Sequence, residues 1–152
     1  MKPILPAAVV GVMTLAFLAG CSTPGVYKTR SDLVSDPAAC AAKRFEVYFD
    51  QDQARLTTAA REAISLTATQ LQGCDVTRVQ VLGLADARSG TPAANQSLSE
   101  RRARSVAEAL AGAGLPAPAF EVAAAGADGA VVNGVNDPLR RRTEVVIEAR
   151  PR

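Results

Sequence analysis

The chain of 152 residues has room for one ordinary domain and a leader, and its 17 basic against 15 acidic residues give a formal charge of +2. That balance lacks the one-sided charge that attraction to nucleic acid requires, and with no Trp and 4% aromatics there is no stacking platform for bases. Histidine is absent, which removes the usual general base near neutral pH and the commonest metal ligand, so neither a metal site nor a cofactor is expected.

Residues 4–19 form an apolar run behind Lys2, ending in Leu18-Ala19-Gly20-Cys21. A membrane span needs ~20 apolar residues. This run is shorter, contains Pro6 and meets a small-residue cleavage site, so residues 1–20 read as a secretory signal. A spanning anchor, or a signal followed by a chance cysteine, are the alternatives. Leu-Ala-Gly-Cys resembles the lipobox of bacterial lipoproteins, which implies that Cys21 receives a diacylglycerol thioether and becomes the acylated first residue. Several acyl chains anchor stably where one binds only marginally. Ser22, not Asp, follows the cysteine, and by the enteric sorting rule this favours the outer membrane, with the domain facing the periplasm.

From Ser22 to about Ala42 the composition is that of a flexible tether, so 21–42 is the lipidated tether and 43–150 the folded domain. Phe45, Val47 and Phe49 alternate with polar neighbours, a half-buried strand that closes at Asp50-Gln51-Asp52. A helix is expected from Thr57, with Ala60, Ile64, Ala68 and Leu71 along one stripe, and stops at Gly73. Val79, Val81 and Leu82 lie in a second strand ending at Gly83-Leu84-Ala85-Asp86, followed by a loop. Ser97 and Glu100 have capping-box spacing, and Ala103, Val106, Ala107 and Leu110 mark an amphipathic helix ended by Gly112 or Gly114. Phe120 to Ala124 is a third strand, Gly126 to Asp137 a loop, and Thr143 to Glu148 a final strand. The order βαβαββ predicts an α+β fold, a mixed sheet with both helices packed on it.

Cys40 and Cys74 each precede a strand, and the starts of two parallel strands can be neighbours, so a disulfide is expected in an oxidising compartment. Two buried thiols, or a redox pair lacking the Cys-x-x-Cys spacing, are the competing readings.

Gly83-Leu84-Ala85-Asp86 followed by Asn95-Gln96-Ser97-Leu98-Ser99-Glu100-Arg101-Arg102-Ala103-Arg104-Ser105-Val106 resembles the OmpA C-terminal-like family, and within it the peptidoglycan-associated lipoproteins. Tyr48-Phe49-Asp50, Leu56-Thr57, Ala60-Arg61 and Arg141-Arg142-Thr143-Glu144, which is similar to the family's Arg-Arg-Val-Glu strand, extend the likeness over about 43–149. Leu84 stands where the family has His or Tyr, Ala94 where it has an aromatic and Ala130 where it has Pro, and the loop from Asp86 to Asn95 is a residue longer.

The resemblance implies that Asp86 and Arg102 hold the diaminopimelate residue of the peptidoglycan stem. The free end of that ligand carries an ammonium and a carboxylate on one carbon, so a receptor needs one anion and one cation close together. Asp86 falls at the carboxyl end of its strand, where open sheets place ligands. Arg102 lies on the flank of the buried stripe, so its fork is expected to emerge over that edge and the fold to survive its removal. Alone, Asp86 would be a turn-former and Arg102 a surface arginine. Asn95 matches the family's Asn and either fixes the loop and offers its backbone to the ligand, or merely precedes the helix. Arg141 borders the pocket; Arg101 and Arg104 share an outer face with Glu108.

The expected partners are peptidoglycan and outer-membrane lipid. A Tol-type or secretion-machine accessory that uses the domain for localisation is the alternative. A wall-cleaving enzyme would need a nucleophile with a base or a carboxylate pair; Asp50 and Asp52 are read as a turn instead.

Overall fold

The computed structural model of the chain describes residues 37–152. The expected leader, the expected acylation at Cys21 and the expected tether as far as residue 36 lie outside the described residues. The end of the expected tether belongs to the folded body: Pro37–Cys40 form a 3-10 turn, and Cys40 is buried and bonded to Cys74 across a Cα separation of 5.7 Å.

Strand β1 (Lys43–Tyr48) alternates as its sequence demands, burying Val47 and then Phe49 just beyond its end. Helix α1 (Thr58–Gln70) is capped by the Thr57 hydroxyl, which accepts from the Ala60 amide at 3.1 Å, and buries Ile64 and Ala68. Gly73, at φ +87°, turns the chain into β2 (Cys74–Gly83).

Helix α2 (Pro92–Gly112) begins before the Ser97 expected as its start. The Thr91 side chain accepts from the Ala94 amide at 3.2 Å, and Pro92 sits in the first turn, where its missing N–H costs nothing. Ser97 and Glu100 are therefore inside the helix, bonding the side chains of Arg101 and Gln96 rather than each other's backbone.

β3 (Phe120–Ala124) lies where expected. The segment from Gly126 to Asp137 is not a plain loop, because it holds a hairpin of β4 (Val131–Val132) and β5 (Val135–Asn136). Asn133 at φ 53° and Gly134 at φ 78° make the turn, the left-handed pair a two-residue hairpin needs. Last comes β6 (Arg142–Pro151).

The main sheet has the order β1-β6-β2-β3, with β6 antiparallel to both neighbours and β3 parallel to β2. Val47, Val79, Val81, Val145 and Ile147 share a core with Ile64, Ala68, Val106 and Leu110 of the helices. On the polar side, Glu46 and Glu144 stand opposite each other, and Arg142 offsets their repulsion at 3.2 and 2.7 Å. The fold is the expected α+β arrangement with an added hairpin.

Candidate functional site

Gly83 sets the geometry at the end of β2. A Cβ there would stand 2.0 Å from the Ser99 carbonyl oxygen and 3.0 Å from Ala103, so only glycine lets α2 lie this close to the strand. The next turn of α2 then delivers Arg102 to the strand's carboxyl end. Beyond Gly83 the backbone stays pinned: Leu84 donates to the Arg142 carbonyl at 2.9 Å and Ala85 to that of Gly126 at 2.7 Å. Asp86 follows with no accessible surface.

The Asp86 carboxylate caps no backbone N–H. It accepts from the Ser89 hydroxyl at 2.7 Å and from the Asn136 side-chain amide at 3.5 Å, with an Arg141 guanidinium nitrogen also at 3.5 Å. Asn136 faces both ways, because its carbonyl oxygen accepts from the Ala87 amide at 2.8 Å. The hairpin is thus clasped onto Asp86 and the residue after it.

Arg102 does not emerge as expected. It lies on the buried stripe of α2 with Leu98, Ser99, Ala103, Val106 and Leu110, and has no accessible surface. Its Nε donates to the Gln53 carbonyl at 2.8 Å, Nη1 to that of Leu84 at 2.9 Å and Nη2 to that of Asp50 at 3.2 Å, while Phe49 supplies a ring face 5.2 Å away. Each nitrogen is used, which leaves one N–H on each Nη for another acceptor. Burial lowers its pKa to about 10, and the nearby Asp86 charge pulls the other way, so the group is cationic at neutral pH. The expectation that Arg102 stands off the buried stripe with its fork emerging is therefore corrected: it is packed within the core face of α2.

Asn95 is buried inside α2. Its side-chain amide donates to the Gly90 carbonyl at 3.4 Å, tying down the loop, and its backbone N–H is spent on Thr91 at 2.9 Å rather than offered outward. Its Oδ1 is buried without a partner. Arg141 is partly exposed and borders Asp86, while Arg101 and Arg104 are exposed, as read from the helix period.

Two participants carry roles that the sequence did not assign them. The buried Ser99 hydroxyl donates to the Gln96 carbonyl at 2.8 Å and accepts from Gly126 at 3.0 Å, so α2 holds the root of the hairpin segment. Asn136 was hidden in a presumed loop, although Asn133-Gly134 between valines is a hairpin signal that would have placed it.

A buried carboxylate and a buried guanidinium thus meet at one end of the sheet, and among the described residues they form no direct ion pair. Such a pair suits a ligand group bearing both charges. Among the described residues no three His, Cys, Asp or Glu side chains gather as a metal site would need.

The sequence pattern of the OmpA family matches residues 48–144. The chain belongs to the OmpA family. Its OmpA-family domain is 32% identical over 118 residues to an outer membrane protein of Gluconacetobacter diazotrophicus, covering 72% of this chain and 31% of that protein. It is 33% identical over 103 residues to outer membrane protein A of Escherichia coli O157:H7, covering 66% of this chain and 30% of that protein. The matched part is thus less than a third of either curated relative. Among solved structures, the OmpA-like domain of FopA1 from Francisella tularensis superposes with a TM-score of 0.60 at 23% identity, covering 72% of this chain and 73% of that one. The peptidoglycan-associated lipoprotein from Burkholderia pseudomallei gives 0.59 at 26% identity, covering 70% of this chain and 91% of that one.

Proposed function

We propose that this chain is an outer-membrane lipoprotein, acylated at Cys21, whose OmpA-family domain holds peptidoglycan without covalent chemistry, through the diaminopimelate of the peptide stem. The observation that carries this reading is the pair of opposite charges at the end of β2, both desolvated and not spent on each other. A zwitterionic carbon satisfies both at once. Its ammonium takes the place beside Asp86 that Arg141 holds at 3.5 Å, a long and replaceable contact, and its carboxylate takes the free N–H groups of Arg102. The likeness to a peptidoglycan-associated lipoprotein and to outer membrane proteins, together with the Leu18-Ala19-Gly20-Cys21 motif, supports the same reading.

The test is a pull-down of the mature chain with purified sacculi. Asp86→Asn keeps the shape that Ser89 and Asn136 hold but removes the charge, and binding is expected to fall ~30-fold or more. Arg101→Ala, on the exposed face, should change it little. Sacculus binding by Asp86→Asn equal to wild type would sink the charged grip. For the anchor, labelled fatty acid should enter the wild type and not Cys21→Ser; equal labelling rules it out.

A further inference from the structure

The charged grip accounts for one end of a ligand and leaves open what the rest of it touches. The hairpin register bears on this. Val131 stands directly opposite Asn136, and Val132 opposite Val135. Directly opposed residues of an antiparallel pair project from the same face, so Val131 shares a face with Asn136 while Val132 and Val135 share the other. The Asn136 side chain reaches both Asp86 and the Ala87 amide, so the face that carries Val131 is the one turned toward Asp86. Val131 nevertheless keeps 53% of its surface exposed. An apolar side chain is left open directly across the hairpin from the amide that bonds a buried carboxylate.

We infer that Val131 is a ligand-contacting wall of the site, packing against the methylene chain of diaminopimelate as it leaves the charged grip. The inference rests on the reading of Asp86 and Arg102 given above and adds what selects the ligand. The smallest free amino acids, glycine and alanine, also offer an ammonium and a carboxylate on one carbon. Diaminopimelate adds an aliphatic chain directly behind that carbon. A grip that recognised charge alone would not separate the two, whereas an apolar surface beside it rewards the chain. Continuity decides the occupant, because Val131 stands across the hairpin from the Asn136 that bonds Asp86, at the end of the sheet opposite Cys40 and Cys74, where the membrane tether joins the domain.

The experiment is calorimetric titration of the mature chain with meso-diaminopimelate. Four forms are compared: wild type, Val131→Thr, Val135→Thr and Asp86→Asn. Threonine preserves the β-branched shape and the strand, and both valines are more than half exposed, so neither variant should disturb the fold. Val131→Thr should weaken binding about fivefold and make the heat-capacity change of binding less negative, since apolar burial is what that quantity reports. Val135→Thr, on the opposite face, should match wild type. Val131→Thr binding as tightly as wild type, or Val135→Thr weakening it equally, overturns the wall. Asp86→Asn reports separately on the grip: binding unchanged there condemns the charged pair whatever Val131 does. A wild type that does not bind diaminopimelate overturns both.

Discussion

Arg102 shows what a single buried charge asks of a fold. Its guanidinium is held by three backbone carbonyls from two loops, so replacing it strands acceptors as well as opening a cavity. Arg102→Ala should cost about 2 to 4 kcal/mol, read as a lower urea midpoint; an unchanged midpoint would mean that water takes over all three carbonyls. The sign of its titration follows from burial. The folded value of about 10 lies below the ordinary guanidinium range, so the unfolded chain holds this proton more tightly. The cost of burying this charge is carried in full at every pH below about 10 and is relieved only as pH rises beyond that. Thr143 is the converse case. It is wholly buried, stands where the family's strand motif has Val, and leaves its hydroxyl without a partner. Thr143→Val should raise stability by about 1 kcal/mol, and a lowered melting temperature would show that the hydroxyl has a use unseen in its surroundings.

At the scale of elements, the packing of α2 on β2 turns on Gly83. Adding one methyl must push the Ser99 backbone aside, so Gly83→Ala should cost about 3 kcal/mol and, by lifting α2, draw Arg102 away from the Leu84 carbonyl. A melt equal to wild type would contradict the close approach. The elements differ in how plainly the sequence announces them. Helix α1 and strand β3 are legible nearly to the residue because local signals agree: Thr57 caps, Gly73 stops, and the apolar spacing is unbroken. The start of α2 is not, because Ser97 and Glu100 imitate a capping box while Thr91 is the actual cap. Asp86 and Arg102 could be singled out by resemblance, but not the inward course of Arg102. That course depends on Phe49, Asp50 and Gln53, which are distant in sequence and meet the helix only in the folded chain. The β4–β5 hairpin is too short for periodicity to reveal and was signalled only by its turn.

Across the whole molecule, β2 joins two ends with different tasks. Cys74 opens it beside the disulfide, and Gly83 closes it three residues before Asp86. The bridge should contribute about 4 kcal/mol by restricting the unfolded chain, but its position has a mechanical consequence. Tension entering at Pro37 crosses from Cys40 to Cys74 before it can reach β1, so the edge strand β1 and helix α1 lie outside the load path. The force runs instead along a strand paired on both sides, by β6 and β3. Stretched between its N-terminus and a handle at Arg88, beyond the far end of β2, the oxidised domain should resist a higher force than the Cys40→Ser, Cys74→Ser form. Its fully extended length should be shorter by about 120 Å, the reach of the 34-residue separation that the bond spans. Equal rupture forces in the two forms would leave the bridge as a thermodynamic staple alone. A higher force in the oxidised form would make β2 the tendon between the N-terminal entry and the charged site, with β1 and α1 as slack it never has to take up.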